Sequence, residues 1–230
     1  MRTSRALAMS VAATALLTAC QTTPPPAVPA PTGPMSFFVT SAGPGDGANL
    51  GGLTGADAHC QRLAAASGVA GAASRTWRAY LSTGWTQTTP AVNARDRIGK
   101  GPWFNAKGVL IASDVNHLHG ASNLTKQTAL NEKGAVVNGR GDTPNTHDIL
   151  TGSRADGTAF SSAPGMPEMT CGEWTKNGDG SAMTGHHDRS GLSPEPWAVS
   201  WNSSHNTVGC AQAALVRTGG AGLFYCFAAN

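Results

Sequence analysis

Beyond residue 35 the apolar and polar positions follow two different periods. Ser36-Phe37-Phe38-Val39-Thr40 has the β-branched and aromatic composition of a strand, and the Gly-rich stretch from Gly43 to Gly52 behind it reads as loop. Ala56, Cys60, Leu63 and Ala64 then recur at helical spacing, which places Cys60 on the buried face of a helix. Thr54, with Asp57 three residues on, reads as an approximate capping box at its start. Trp77, Ala79 and Leu81 alternate with Arg78, Tyr80 and Ser82, the period of a strand with one face in the core. Further short strands are predicted at Val109 to Ala112, Asp148 to Thr151, Trp197 to Trp201, Ala213 to Val216 and Leu223 to Phe227. Gly, Asn, Asp and Pro separate them, and the polar stretches Ser113 to Asp148 and Gly152 to Pro196 are assigned to long loops.

The amino terminus has another pattern. Arg2 and Arg5 precede an apolar run from Ala6 to Leu17 that is short for a membrane span and has the order of a signal peptide. Leu17-Thr18-Ala19-Cys20 is a small-residue junction of the kind cut before a cysteine that becomes acylated with chains such as palmitate. Residues 1–19 are therefore expected to be a lipoprotein signal peptide, and Cys20 the lipidated residue. Residues 20–35 form a Pro-rich tether of extended geometry, and residues 36–230 form one domain. Gln21, in place of Asp, is the residue type that accompanies outer-membrane sorting in Gram-negative lipoproteins, so the expected address is the cell envelope, lipid-anchored, at that outer membrane.

Processing changes the charge. Sixteen Lys and Arg against 13 Asp and Glu give +3, and loss of Arg2 and Arg5 leaves 14 against 13, or +1. With no basic run, the electrostatic footprint of a nucleic-acid binder is missing. Charged residues are 13% and Gly is 29 of 230, which points to a loop-rich domain held by cross-links.

Cys60, Cys171, Cys210 and Cys226 are an even set in an exported chain, so two disulfides are expected among three possible pairings. No two have the close spacing of zinc ligands. Gly51-Gly52-Leu53-Thr54-Gly55-Ala56-Asp57-Ala58-His59-Cys60, Ala94-Arg95-Asp96-Arg97-Ile98 leading into Gly101-Pro102-Trp103-Phe104-Asn105, Thr151-Gly152-Ser153-Arg154-Ala155-Asp156-Gly157-Thr158, Cys171-Gly172-Glu173-Trp174-Thr175 and Leu223-Phe224-Tyr225-Cys226-Phe227 together resemble bacterial C-type-lectin-like domains related to the endostatin branch. The likeness spans about residues 36 to 230. It implies an α+β fold: a loop-rich, short-stranded antiparallel sheet with a flanking helix and the nested disulfides Cys60–Cys226 and Cys171–Cys210.

The resemblance also implies a site to test. Sugar-binding relatives of the fold use a Glu-Pro-Asn type triplet and a Trp-Asn-Asp triplet around calcium, and the nearest matches are Glu195-Pro196-Trp197 and Trp201-Asn202-Ser203. Each lacks one oxygen ligand that calcium wants. Glu195, Trp197, Trp201 and Asn202 are the candidate ligand-binding residues, with calcium as a possible cofactor and the metal otherwise unknown. Trp197 and Trp201 are read as packing on one side beneath the late loop, and Trp77 and Trp174 as core. Asn177-Gly178-Asp179-Gly180 reads as a turn, His186-His187-Asp188 as a polar exposed loop rather than a transition-metal site, Arg140-Gly141-Asp142 as an exposed turn rather than an adhesion tripeptide, and Arg95-Asp96-Arg97 as a structural ion-pair set.

No Gly-x-Ser-x-Gly, His-Glu-x-x-His or phosphate-loop pattern is present, so no enzyme is expected. A Glu173 and Glu195 carboxylate pair acting on glycosides is the distant alternative. The expected function is binding of a glycan or an envelope or host protein through the long loops, with a structural or adhesive envelope protein as the alternative.

Overall fold

The strand Gly220–Ala228, here β8, is buried on both faces and organises the molecule. Phe224 and Cys226 enter one cluster with Phe38, Trp77, Leu150 and Trp174, while Leu223, Tyr225 and Phe227 enter a second with Phe37, Tyr80, Trp103, Ile149 and Trp201. A strand covered on two sides has no polar face, which is why Leu223-Phe224-Tyr225-Cys226-Phe227 is a continuous apolar run. The computed structural model describes residues 32–85 and 87–230, so the leader, Cys20 and the tether up to residue 31 lie outside the described residues. By Thr32 the chain is already paired to the domain, bridging Val109, and Met35 is buried.

Strands β1 (Phe37–Val39) and β2 (Trp77–Ala79) both pair antiparallel to β8. A separate hairpin joins β3 (Trp103–Phe104) and β4 (Leu110–Ala112). Beyond β8 lie β5 (Asp148–Leu150), β6 (Met183–His186) and β7 (His205–Asn206), giving the order β1-β8-β5-β6-β7. The fold is mixed α+β with two disulfides, Cys60–Cys226 and Cys171–Cys210. The sheet is not wholly antiparallel: β5 runs parallel to β8.

Helix α1 (Gly52–Ala66) buries Ala56, Cys60 and Ala64 of the anticipated stripe, with Leu63 partly buried against the core, and also buries Asp57 and His59. Its start differs from the capping box. Gly51 occupies the N-cap position at φ 73°, a left-handed conformation open to glycine, and Thr54 lies inside the helix. Asp57 is spent elsewhere, on Arg78 and Arg97. Short helices follow at α2 (Ala94–Arg97), α3 (Val115–His119) and α4 (Cys171–Trp174).

Two predicted strands are not strands. Ala213 to Val216 lies within α5 (Gln212–Thr218), where Gln, Ala, Leu and Arg favour helix. Gly219, at φ 100°, ends it by donating to the carbonyls of Leu215 and Val216. Trp197 to Trp201 is a run of turns in which the Glu195 carbonyl accepts from Ala198 and Val199 and the Trp197 carbonyl from Ser200. Trp201 is therefore buried at 2% exposure while Trp197 stands 58% exposed, so the two do not share a side. Trp77 and Trp174 are core, as expected.

A histidine and aspartate cluster beneath the late loop

Register brings the polar chemistry together. In the β5–β6 pair Asp148 stands opposite His186, and in the β6–β7 pair Thr184 stands opposite His205. Asp148 Oδ1 is thereby 3.3 Å from His186 Nε2, 3.4 Å from His205 Nε2 and 3.3 Å from Nε2 of its neighbour His147. Asp148 and His186 are 2% and 4% exposed, and His147 5%. The rings of His147 and His186 stack at 4.1 Å with 9° between planes.

The far nitrogen of each ring faces an acceptor. His147 Nδ1 lies 3.3 Å from Asp188 Oδ1, His186 Nδ1 donates to the Ala198 carbonyl at 2.8 Å, and His205 Nδ1 lies 3.2 Å from the Asn206 carbonyl. Asp188 is fixed in turn by the backbone N–H groups of Arg140 and Ser190 at 2.6 and 3.0 Å. Burial pushes the Asp188 carboxyl up, but His147 and these donors outweigh it and hold it well below the ordinary carboxylate range. Protons placed on Nδ1 leave the Nε2 lone pairs aimed at Asp148. Both Asp148 oxygens and His186 Nε2 find no hydrogen-bond partner among the described residues. Burial raises the Asp148 carboxyl, while His186 and His205 draw it below its usual value; Asp148 in turn raises His205 against burial.

A pocket of about 210 Å³ opens over these rings. Its walls include Arg140, Asn145, Leu192, Trp197 and Thr218. Leu192 is 91% exposed, so two large apolar side chains stand at the mouth. The Arg140 guanidinium donates to the Gly191 carbonyl, closing the rim.

The sequence candidates are dispersed. Trp197 lines this pocket, and Glu195 is exposed on the same loop. Asn202 is 1% exposed; its amide nitrogen donates to Tyr80 Oη, Arg154 O and Ala155 O, and its Oδ1 accepts from Ser200. Trp201 packs on Tyr80 and Tyr225. Neither Asn202 nor Trp201 is open to a ligand, because the fold consumes both. Glu173 is half-buried with its carboxylate on the Gly84 N–H, and the acid whose charge reaches it is Glu168, not Glu195. Burial raises its pKa.

His186-His187-Asp188 is not an exposed loop: His186 and His187 are buried, and Asp188 braces His147. His147, Asp148 and His205 were not singled out by sequence reading. The available signal was the His-Asp adjacency at 147–148, echoed at 187–188, in a chain with seven histidines and few charges.

The chain matches no family model, and comparison with curated proteins returns no relative.

Proposed function

We propose that this chain is a lipid-anchored envelope protein whose C-type-lectin-like domain binds a protein ligand through the pocket over His147, His186 and His205. The observation that carries the reading is the pair Leu192 and Trp197, 91% and 58% exposed at the mouth of that pocket. Exposed apolar groups set in a polar surface are the usual anchors of a protein contact, with tryptophan foremost among them. Asn202, the amide of the sugar-site triplet, is already taken up by Tyr80 Oη and Arg154 O. The signal-like leader, the Pro-rich tether and the helix-to-last-strand disulfide support the anchored, lectin-like part of the reading. Among the described residues no helix is long and apolar enough to cross a membrane.

The test is site-specific photo-crosslinking on intact cells. A crosslinker at Leu192 is expected to give a discrete protein adduct that disappears with Trp197→Ala and does not form from the exposed Lys133. The same adducts from both positions, or calcium-dependent retention on a glycan array instead of a protein adduct, would overturn the reading.

A further inference from the structure

We infer that His147, Asp148 and His186 form a binding site for a first-row divalent transition ion, zinc above the others, with His205 at its edge. The inference concerns the pocket proposed to receive the partner and rests on that reading only for where the ion would be presented. Its support lies in different atoms. A tetrahedral ion with bonds of about 2.0 to 2.1 Å keeps its donors about 3.3 to 3.4 Å apart. Asp148 Oδ1 stands 3.3 Å from Nε2 of both His147 and His186, two edges of that length. The donor atoms of His147, Asp148 and His186 are also mutually within 4.8 Å.

The chemistry of the atoms agrees with the spacing. With each Nδ1 facing an oxygen, every Nε2 turns a lone pair toward a buried carboxylate, and lone pairs facing an anion repel unless a cation lies between them. Moving a proton to His205, the most exposed of the three, would relieve one contact and leave His186 Nε2 bare. An ion held by His147, His186 and Asp148 relieves both of their contacts at once and gives His186 Nε2 a partner. The Asp188–His147 contact is the carboxylate brace that fixes ring orientation and raises ligand basicity in histidine metal sites. Imidazole with one carboxylate suits zinc, copper, nickel or cobalt, whereas calcium prefers a shell of oxygens. The pocket supplies an entry path.

The test uses the full chain in detergent, stripped with a chelator and titrated with zinc by calorimetry and with cobalt by visible absorption. One equivalent of zinc is expected, with the intense d–d bands of tetrahedral cobalt displaced by zinc. Asp188→Asn should weaken zinc binding about 10- to 100-fold. His186→Ala should abolish it, and His117→Ala should leave it unchanged. Where a variant fails to fold by circular dichroism, the wild-type cobalt spectrum decides. No saturable binding, a pale octahedral spectrum, or undiminished binding in a folded His147→Ala/His186→Ala protein would overturn the inference. Crosslinking from Leu192 in chelated protein separates the two readings: an adduct without metal binding sinks the ion site alone, and metal binding without an adduct sinks the partner site alone.

Discussion

Asp57 shows how one buried charge ties three parts of the chain. Its oxygens accept from Arg97 at 2.9 and 2.8 Å, from Arg78 at 2.7 Å and from the Ala79 N–H at 2.9 Å. The Asp57 and Arg97 side chains are both 11% exposed, so removing one leaves the other charged and unpaired in a poor solvent. Asp57→Asn is expected to cost about 3 to 5 kcal/mol of stability by denaturant unfolding. A cost below about 1 kcal/mol would mean that Arg97 finds other compensation. The sequence Arg95-Asp96-Arg97 did announce a structural charge set. Its partners were hidden: Asp96 takes the Asn93 amide, while Arg97 reaches 40 residues back into α1. Local composition says that a buried charge needs a counter-charge, and only the fold says which. The same holds for Asn202, read as a ligand residue from its triplet and found instead holding Tyr80 to the loop at 154–155.

At the scale of elements, close backbone contact places the cluster. A Cβ on Gly185 would stand 2.0 Å from the Trp201 carbonyl oxygen and 2.3 Å from the Asn202 nitrogen, both backbone atoms. Gly185→Ala must therefore push the 201–202 turn off β6, next to His186. Overpacking of this kind costs on the order of 1 to 3 kcal/mol. The variant is predicted to melt earlier and to bind zinc more weakly than wild type, measurable by thermal unfolding with and without the ion. Unchanged melting and affinity would show that the loop gives way freely. Strands β1, β2 and β8 are legible because their apolar pattern is dictated by burial. Helix α5 is not, since four apolar-rich residues fit either period. Strand β6 escaped notice because Met183-Thr184-Gly185-His186 has little apolar alternation; its polar side chains are kept by the cluster and by bonds such as Thr184 to the His205 carbonyl.

Across the whole molecule, the cross-links and the buried histidines set the response to redox and pH. Cys60–Cys226 closes 166 residues and Cys171–Cys210 closes 39. On the chain-entropy account these are worth about 5 and about 4 kcal/mol as upper figures, so Cys60→Ala/Cys226→Ala should destabilise more than Cys171→Ala/Cys210→Ala in matched unfolding experiments. Equal losses would place the effect in packing instead. His119 is held neutral by burial: its Nδ1 donates to Val115 O at 2.7 Å and its Nε2 accepts from Tyr80 Oη at 2.8 Å. Burial lowers its pKa below 6.5; the Val115 carbonyl opposes it, and Arg95 lowers and Asp156 raises it by less. A histidine lowered in the folded state binds protons preferentially when unfolded, so its contribution is complete above about pH 6.5 and is lost as pH falls through the folded value. His59 and His187 shift the same way through burial, while His205, raised by Asp148, opposes them in the same window and Glu173, raised by burial, opposes them as the pH nears the carboxylate range. Melting temperature should fall between pH 7 and pH 5, and His119→Gln should flatten that slope; a slope unaltered by the substitution would exclude His119 as a source. The helix-and-strand frame was readable from apolar periods, and the presence of two disulfides from cysteine parity. The site was not, because His147, Asp148, His186 and His205 are joined by strand register rather than by spacing in the chain.

The measurement that bears most directly on the account is anomalous diffraction at the zinc edge from crystals of the protein grown with stoichiometric zinc. One strong peak is expected about 2.0 to 2.2 Å from His147 Nε2, His186 Nε2 and Asp148 Oδ1. A peak at another place on the chain, or none over this cluster at full occupancy elsewhere, would contradict it.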